Sequence, residues 1–410
     1  MILGGVPGEG IEPSRAEAHG FLRPARLPIP PSRPGRYSVA ARSLAAWSLG
    51  LLLVLLAGCG PDGIERDTGV RTIAFVFDGS TEDADEVTGP ALAGLQLAAV
   101  ASDRVTVEPV DVGDPASAVE ELRALSDDRG VVAAVVAPWT AATEAAVAAL
   151  AATGLPVFTF SWAWVAPEQA TAPWRSLTLD AEGEAGLLVG AGTRAAGASG
   201  PMCVASDPLP MSRTLARLVA ARTASRTPIV DAGLVDPARP ATASAVAGRI
   251  EEAGCAAVLW TGDAPAAALL LAAHPPVRAL VGTSRIKTDD GLALAEGGIT
   301  VVATCGCVDV NLSLEDATEG FVHDFQAESA SAPGPFAVEA HDLGSAIVRA
   351  LSGNATSAQI SAAIGALDRF GGLVQAVTFD SGGRRDPGEL REGWWRASGS
   401  RWFRMPSAAA

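Results

Sequence analysis

Residues 131–143 read Val-Val-Ala-Ala-Val-Val-Ala-Pro-Trp-Thr-Ala-Ala-Thr, and this stretch decides the fold. Val131–Ala137 is an unbroken apolar run rich in β-branched residues. It is too short for a buried helix and suits a strand covered on both faces. Pro138 interrupts it, and Thr140 stands where a hydroxyl can cap a new helix. The Ala- and Leu-rich run Ala141–Ala152 supplies that helix. A strand passing through a short turn into a helix is one unit of a parallel α/β sheet. The helix's free N–H groups and the positive end of its dipole then lie beyond the strand's carboxyl end, where such folds take ligands.

The same unit repeats outward from residue 131. Thr72–Phe77, Val105–Val110 and Pro156–Phe160 read as further strands, with helices at Pro90–Ala101 and Ala116–Leu125. The alternation restarts after Gly200. Strands are expected at Met202–Ala205, Ile229–Leu234, Ala256–Trp260, Ala279–Val281 and Ile299–Ala303. Helices at Ser212–Ala224, Ala241–Ala253 and Ala264–Ala273 separate them. Gly183–Gly192 reads as part of a closely packed helix. Helices at Leu314–Ala330, Pro335–Leu351 and Ser357–Leu367 follow, then a β segment Val374–Phe379 and an aromatic tail with Trp394, Trp395 and Trp402. Two such runs predict two doubly wound α/β lobes.

The N-terminal region has another character. Leu44–Ala57 is almost wholly apolar, flanked by Arg36 and Arg42, and ends in Leu56-Ala57-Gly58-Cys59. Its length suits a signal-peptide core better than a bilayer span. Flank, core and box follow in the order of a bacterial lipoprotein signal. Cys59 is therefore expected to carry diacylglycerol, holding the chain on the extracytoplasmic face of the cell membrane. The alternative is a short N-terminal anchor that contains a cysteine. Gly60–Gly69 would be a polar tether. Residues 1–41, rich in Pro, Gly and Arg, show no structural period and are expected to include sequence upstream of the true start of translation.

Composition bounds the function. The 410 residues are 49% hydrophobic and 19% charged, ample for a large core. A formal net charge of −16, with basic residues scattered, argues against nucleic-acid binding. Besides Cys59 there are Cys203, Cys255, Cys305 and Cys307, which allow three pairings. Cys203 and Cys255 fall on neighbouring strands, as a bridge or as two buried thiols. Cys305 and Cys307 stand too close in sequence for an easy mutual bridge. His274, His323 and His341 lack ligand spacing, so no metal and no cofactor is expected. No Gly-x-Ser-x-Gly elbow, phosphate loop or dinucleotide fingerprint occurs in context, and the chain is not expected to be an enzyme.

Four stretches carry a family resemblance. Ile73–Val100, with Gly94 in its helix, resembles an opening strand, loop and helix; Val132–Leu155 resembles a third strand with its Ser/Thr loop. Phe336–Leu351, centred on His341-Asp342, resembles a late helix that usually carries Ala-Tyr-Asp, and Val377–Gly383 a Phe-Asp-x-x-Gly strand end. In order and spacing the chain resembles the type I periplasmic substrate-binding proteins, in the lipoprotein form of the branched-chain amino-acid (Leu/Ile/Val) ABC-transporter receptors.

The resemblance implies two Rossmann-like lobes joined by three crossovers, near Leu177–Asp180, Cys307–Asn311 and Leu373–Thr378. The segments would be 1–58 (extension and signal peptide), 59–70 (lipidated cysteine and tether), 71–178 and 309–374 (lobe 1), and 179–308 and 375–405 (lobe 2). It implies a monomer that captures a small molecule by lobe closure and delivers it to an ABC permease with its ATPase. Thr140 matches the Ser/Thr that holds a ligand carboxylate, with Trp139 and Thr143 beside it. Ser161, Trp162 and Ala163 correspond to a second ligand loop, and Ser80 sits at the cleft mouth.

Lobe 2 departs from the family. Its tyrosines are missing, since the sole tyrosine, Tyr37, precedes Cys59. Ser284 and Arg285 stand where an acid is expected. Asp207 or Asp263 is a substitute partner for an ammonium group, and Arg285 suits an anion. The ligand is thus amino-acid-like, or another small amide, acid or apolar metabolite. A sensory or regulatory lipoprotein of the same fold is the alternative reading. A cell-envelope hydrolase would need a Ser/His/Asp or metal cluster in the cleft.

Overall fold

The computed structural model describes residues 69–80, 88–128, 130–137, 140–160, 173–197, 200–222, 227–308, 316–351, 357–386 and 393–405. The chain opens with β1 (Arg71–Phe77), α1 (Gly89–Val100), β2 (Val105–Asp111), α2 (Pro115–Asp127), β3 (Val131–Val136), α3 (Ala141–Ala151), β4 (Val157–Thr159) and β5 (Trp174–Ser176). These strands form a five-stranded sheet in the order β2-β1-β3-β4-β5, every pair parallel. All six residues of β3 are buried, as a strand covered on both faces requires.

The second alternation runs through α4 (Ala181–Ala196), β6 (Met202–Ser206), α5 (Pro210–Ala221), β7 (Ile229–Leu234), α6 (Ala241–Ala253), β8 (Ala257–Trp260), α7 (Ala264–Ala272), β9 (Ala279–Gly282), α8 (Asp289–Ala293) and β10 (Thr300–Cys305). Then come α9 (Asp316–Ser329), α10 (Ala337–Ala350), α11 (Ser357–Gly365), β11 (Arg369–Phe370), β12 (Val377–Thr378), β13 (Gly393–Ser398) and β14 (Arg401–Met405). The second sheet has seven strands in the order β14-β13-β10-β9-β8-β6-β7. Its last two strands are antiparallel additions.

Both sheets are sandwiched. On the first, Leu122 and Leu125 of α2 and Val147 and Leu150 of α3 pack one face, while α1 and α10 cover the other. Those last two helices touch through small residues. A β-carbon at Gly94 would overlap the Ala337 carbonyl oxygen, and one at Gly344 would stand 2.7 Å from Ala98 Cβ. On the second sheet, Val246 and Ile250 of α6 and Leu270 of α7 fill one face, and Leu188 of α4 and Leu215 and Val219 of α5 lie on the other. Gly192 lets α4 settle onto Leu259 and Met202, which is the close packing expected for Gly183–Gly192.

Several expectations need correction. The segment Val374–Phe379 pairs only at Val377–Thr378, as a two-stranded ribbon with Arg369–Phe370 outside either main sheet. β5 was unforeseen, because Trp-Arg-Ser carries no apolar run to announce it. The aromatic tail is a hairpin: Ser398 faces Arg401 across a two-residue turn, with Gly399 at φ +58°. Trp394 and Trp395 are buried in it.

The cysteines pair as Cys203–Cys255 and Cys305–Cys307. Cys255 lies not on a strand but in the turn before β8, after the left-handed Gly254 that ends α6. Cys305 and Cys307 do bridge each other. β10 ends at Cys305, and the bend at Gly306 brings the two Cα atoms to 5.0 Å.

Candidate functional site

In a doubly wound sheet a ligand sits beyond the strands' carboxyl ends where the strand order reverses. That point lies between β1 and β3 in the first sheet and between β6 and β8 in the second. The loops there carry Ser80 and Thr140 on one side and Asp207 and Asp263 on the other.

Thr140 takes an extended backbone (φ −124°, ψ 164°) and caps α3. Its hydroxyl accepts the Thr143 N–H at 3.1 Å, while the Thr143 hydroxyl accepts the Thr140 N–H at 3.0 Å. This reciprocal box leaves the first-turn N–H groups of Ala141 and Ala142 turned toward the helix end. Thr143 is fully buried. Ser80 is exposed, and its hydroxyl donates to Asp78 at 2.6 Å. Gly79 and Gly113 donate their N–H groups to Asp111, so this turn is held by its own carboxylates. Cys59, Trp139, Ser161, Trp162 and Ala163 lie outside the described residues.

On the second sheet the charges converge. Arg285, in a 3₁₀ turn after β9, donates one guanidinium nitrogen to Asp207 at 3.0 Å and to Ser212 at 2.7 Å. Its other terminal nitrogen lies 3.8 Å from Asp263. Asp207 is further satisfied by the N–H groups of Leu209 and Asp263. Asp263 caps α7 through Ala266 N–H, yet a third of its side chain remains exposed. Burial pushes its carboxyl above the ordinary range, and Arg285 opposes that rise. Ser284 is buried in the same turn. Arg285 and Asp207 therefore consume each other's charge, and Asp263 holds the acceptor capacity that is left.

Sequence reasoning missed Glu144, in the first turn of α3 one residue beyond Thr143. Burial raises its carboxyl, and the largest opposing influence is Arg285 of the other lobe. Arg285 thus acts electrostatically on a carboxyl in the first turn of α3. Nothing in the local sequence marks Glu144, because its partner stands far along the chain. Among the described residues no cluster of His, Cys, Asp and Glu could hold a metal ion.

No protein-family model matches the chain, and no characterised protein matches it by sequence. Solved structures do match it in fold. An ABC-transporter substrate-binding protein from Desulfitobacterium hafniense in complex with Leu superposes with a TM-score of 0.63 at 14% identity, over 82% of this chain and 99% of that one. The branched-chain amino-acid substrate-binding protein LivJ from Streptococcus pneumoniae, bound to isoleucine, gives 0.66 at 15% identity, over 82% and 99%. A solute-binding protein from R. palustris bound to benzoate gives 0.64 at 15%, over 82% and 96%. With two mostly parallel sheets flanked by helices, and neighbours that are two-lobed solute receptors, the chain has the type I periplasmic binding protein fold.

Proposed function

We propose that this chain is the lipid-anchored, extracytoplasmic solute receptor of an ABC importer, capturing a small amino-acid-like, amide or acid ligand by lobe closure. The observation that carries the reading is that the capped α3 N-terminus stands at the reversal point of one sheet and the Arg285–Asp207–Asp263 cluster at that of the other. The helix end offers N–H groups to an anionic pole, and Asp263 with Glu144 offers acceptors to a donor pole. Structures of similar fold hold Leu, isoleucine and benzoate, ligands of that size. Lipid on Cys59 would keep the receptor beside its permease.

The test is a thermal-shift screen of amino acids, amides and small acids on a Cys59→Ser chain. A ligand that binds only the native state raises the midpoint, by about 2.7 kcal/mol of added stability at a hundredfold excess over Kd. Thr140→Ala should abolish the shift given by a carboxylate. A second reading, a sensory or regulatory lipoprotein without transport, is favoured by the mutual neutralisation of Arg285 and Asp207, which leaves lobe 2 poor in free ligand groups. A screen in which nothing raises the midpoint would sink the importer reading and leave this one.

A further inference from the structure

We propose that one helix, α10, anchors the hinge: through Glu339 and its partner Arg385 it ties all three connections between the lobes into a single buried network, so the connections move together. The inference holds whatever ligand the cleft takes.

Glu339 and Asp342 are three residues apart on α10 and so share a face. Glu339 is fully buried, and its Oε1 accepts the Val308 N–H at 2.6 Å, in the segment that leaves β10. The same oxygen lies 3.5 Å from a guanidinium nitrogen of Arg385, whose side chain is 2% exposed. Arg385 in turn donates to the Leu177 carbonyl at 2.9 Å, in the link from β5 to α4. Asp342 accepts the Leu373 N–H at 3.1 Å with both oxygens, in the turn between β11 and β12, and so ties α10 to the ribbon from which the third connection leaves. Glu339 therefore holds the connection leaving β10, and Arg385, which stands in the connection from β12 toward β13, joins Glu339 to the connection from β5 to α4.

Neighbouring contacts tighten the same knot. Arg384 pairs with Asp180, the cap of α4, at 3.3 Å. Ser176 donates its N–H to the Gly383 carbonyl at 2.8 Å. Gly383 sits at φ +78°, where the backbone passes so close to the Trp174 carbonyl that no β-carbon fits. A β-carbon at Gly306 would stand 3.2 Å from Leu179 Cγ, so the first and second links lie against each other.

Buried charge makes this more than packing. Two carboxylates and a guanidinium are costly to desolvate, and apolar side chains would fill the volume without that cost. The groups they grip are backbone N–H and C=O of irregular chain, which need a partner when they leave water. Directional charge-assisted bonds fix where each link sits relative to α10. Loss of Glu339 would release Val308 and take the carboxylate away from Arg385, loosening the links at once.

The test measures interlobe distance by pulsed electron resonance in the full chain carrying Cys59→Ser. Labels go on Val119→Cys in α2 and Glu252→Cys in α6, one in each lobe; Arg213→Cys with Glu252→Cys is a control pair within the second. Glu339→Ala should broaden the interlobe distribution roughly twofold while the control pair keeps its width. The double variant Glu339→Gln with Arg385→Met, which removes both charges and frees Leu177, should do the same and decides alone if Glu339→Ala does not fold. An interlobe width equal to the parent's, or equal broadening of the control pair, overturns the proposal. Should neither variant fold, native-state hydrogen exchange of the parent decides: the Val308 and Leu373 amides should open in one step, and separate opening overturns it.

Discussion

Arg285 and Asp207 form an ion pair 3.0 Å apart with both side chains nearly inaccessible, 8% and 2% exposed. They are far apart in sequence and come together because β6 and β9 end on the same edge of the second sheet. A buried pair of this kind is weak evidence of net stabilisation, but breaking it strands a charge. Arg285→Met should therefore cost about 3–5 kcal/mol, read by urea unfolding. A loss below about 1 kcal/mol would show that Asp207 finds water or another donor.

Stability should fall as pH rises. Burial raises the carboxyls of Glu339, Asp263 and Glu144 above their ordinary range, while Arg385 and Arg285 hold part of that rise back. In the unfolded chain these groups titrate near pH 4. From about pH 4 upward, until the raised values are passed, the native state binds more protons than the unfolded one, so stability declines with pH in that window. Glu339→Gln should flatten the slope of melting temperature against pH. An undiminished slope would remove Glu339 from the account.

The two disulfides should differ in weight. Cys203–Cys255 closes a loop with a sequence separation of 52, while Cys305–Cys307 spans a separation of 2. In the chain-entropy view the longer loop contributes about 4 kcal/mol, and the short one far less. Cys203→Ala with Cys255→Ala should lower the urea midpoint markedly, and Cys305→Ala with Cys307→Ala only slightly. The reverse order would count against this entropic ranking.

Gly94→Ala sets helix propensity against sterics. Alanine is worth about 1 kcal/mol over glycine in a helix. At Gly94 its methyl would overlap the Ala337 carbonyl, and separating α1 from α10 should cost about 1–3 kcal/mol beyond that gain. Gly248, in the exposed part of α6 with nothing near, is the control, and Gly248→Ala should stabilise. Stabilisation at both positions would refute close helix contact at Gly94.

The alternation of apolar strands with Ala-rich helices was legible because burial on both faces leaves no polar period to confuse it, as Val131–Val136 shows. Thr140 was legible as a cap because capping is local chemistry. What stayed hidden is non-local. Trp174–Ser176 becomes a strand only because β4 offers it an edge. Glu144 has no feature apart from the charge opposite it, and Glu339 reads as an ordinary helix acid until Val308 and Arg385 arrive from elsewhere. Asp207, Asp263 and Arg285 were found as types, but the sequence could not tell that two of them would be spent on each other.

The small-residue seam between α1 and α10 has a consequence for how the polypeptide is made. Ala91, Leu95 and Ala98 of the early helix are covered by a helix synthesised after the whole parallel part of the second sheet. The later lobe, mostly one uninterrupted stretch, can complete most of its core first, while the earlier lobe waits with an apolar stripe uncovered. Pulse-labelled exchange during refolding should protect Val258 and Leu280 before Leu95. The portion that leads in the chain would then be the portion that finishes last.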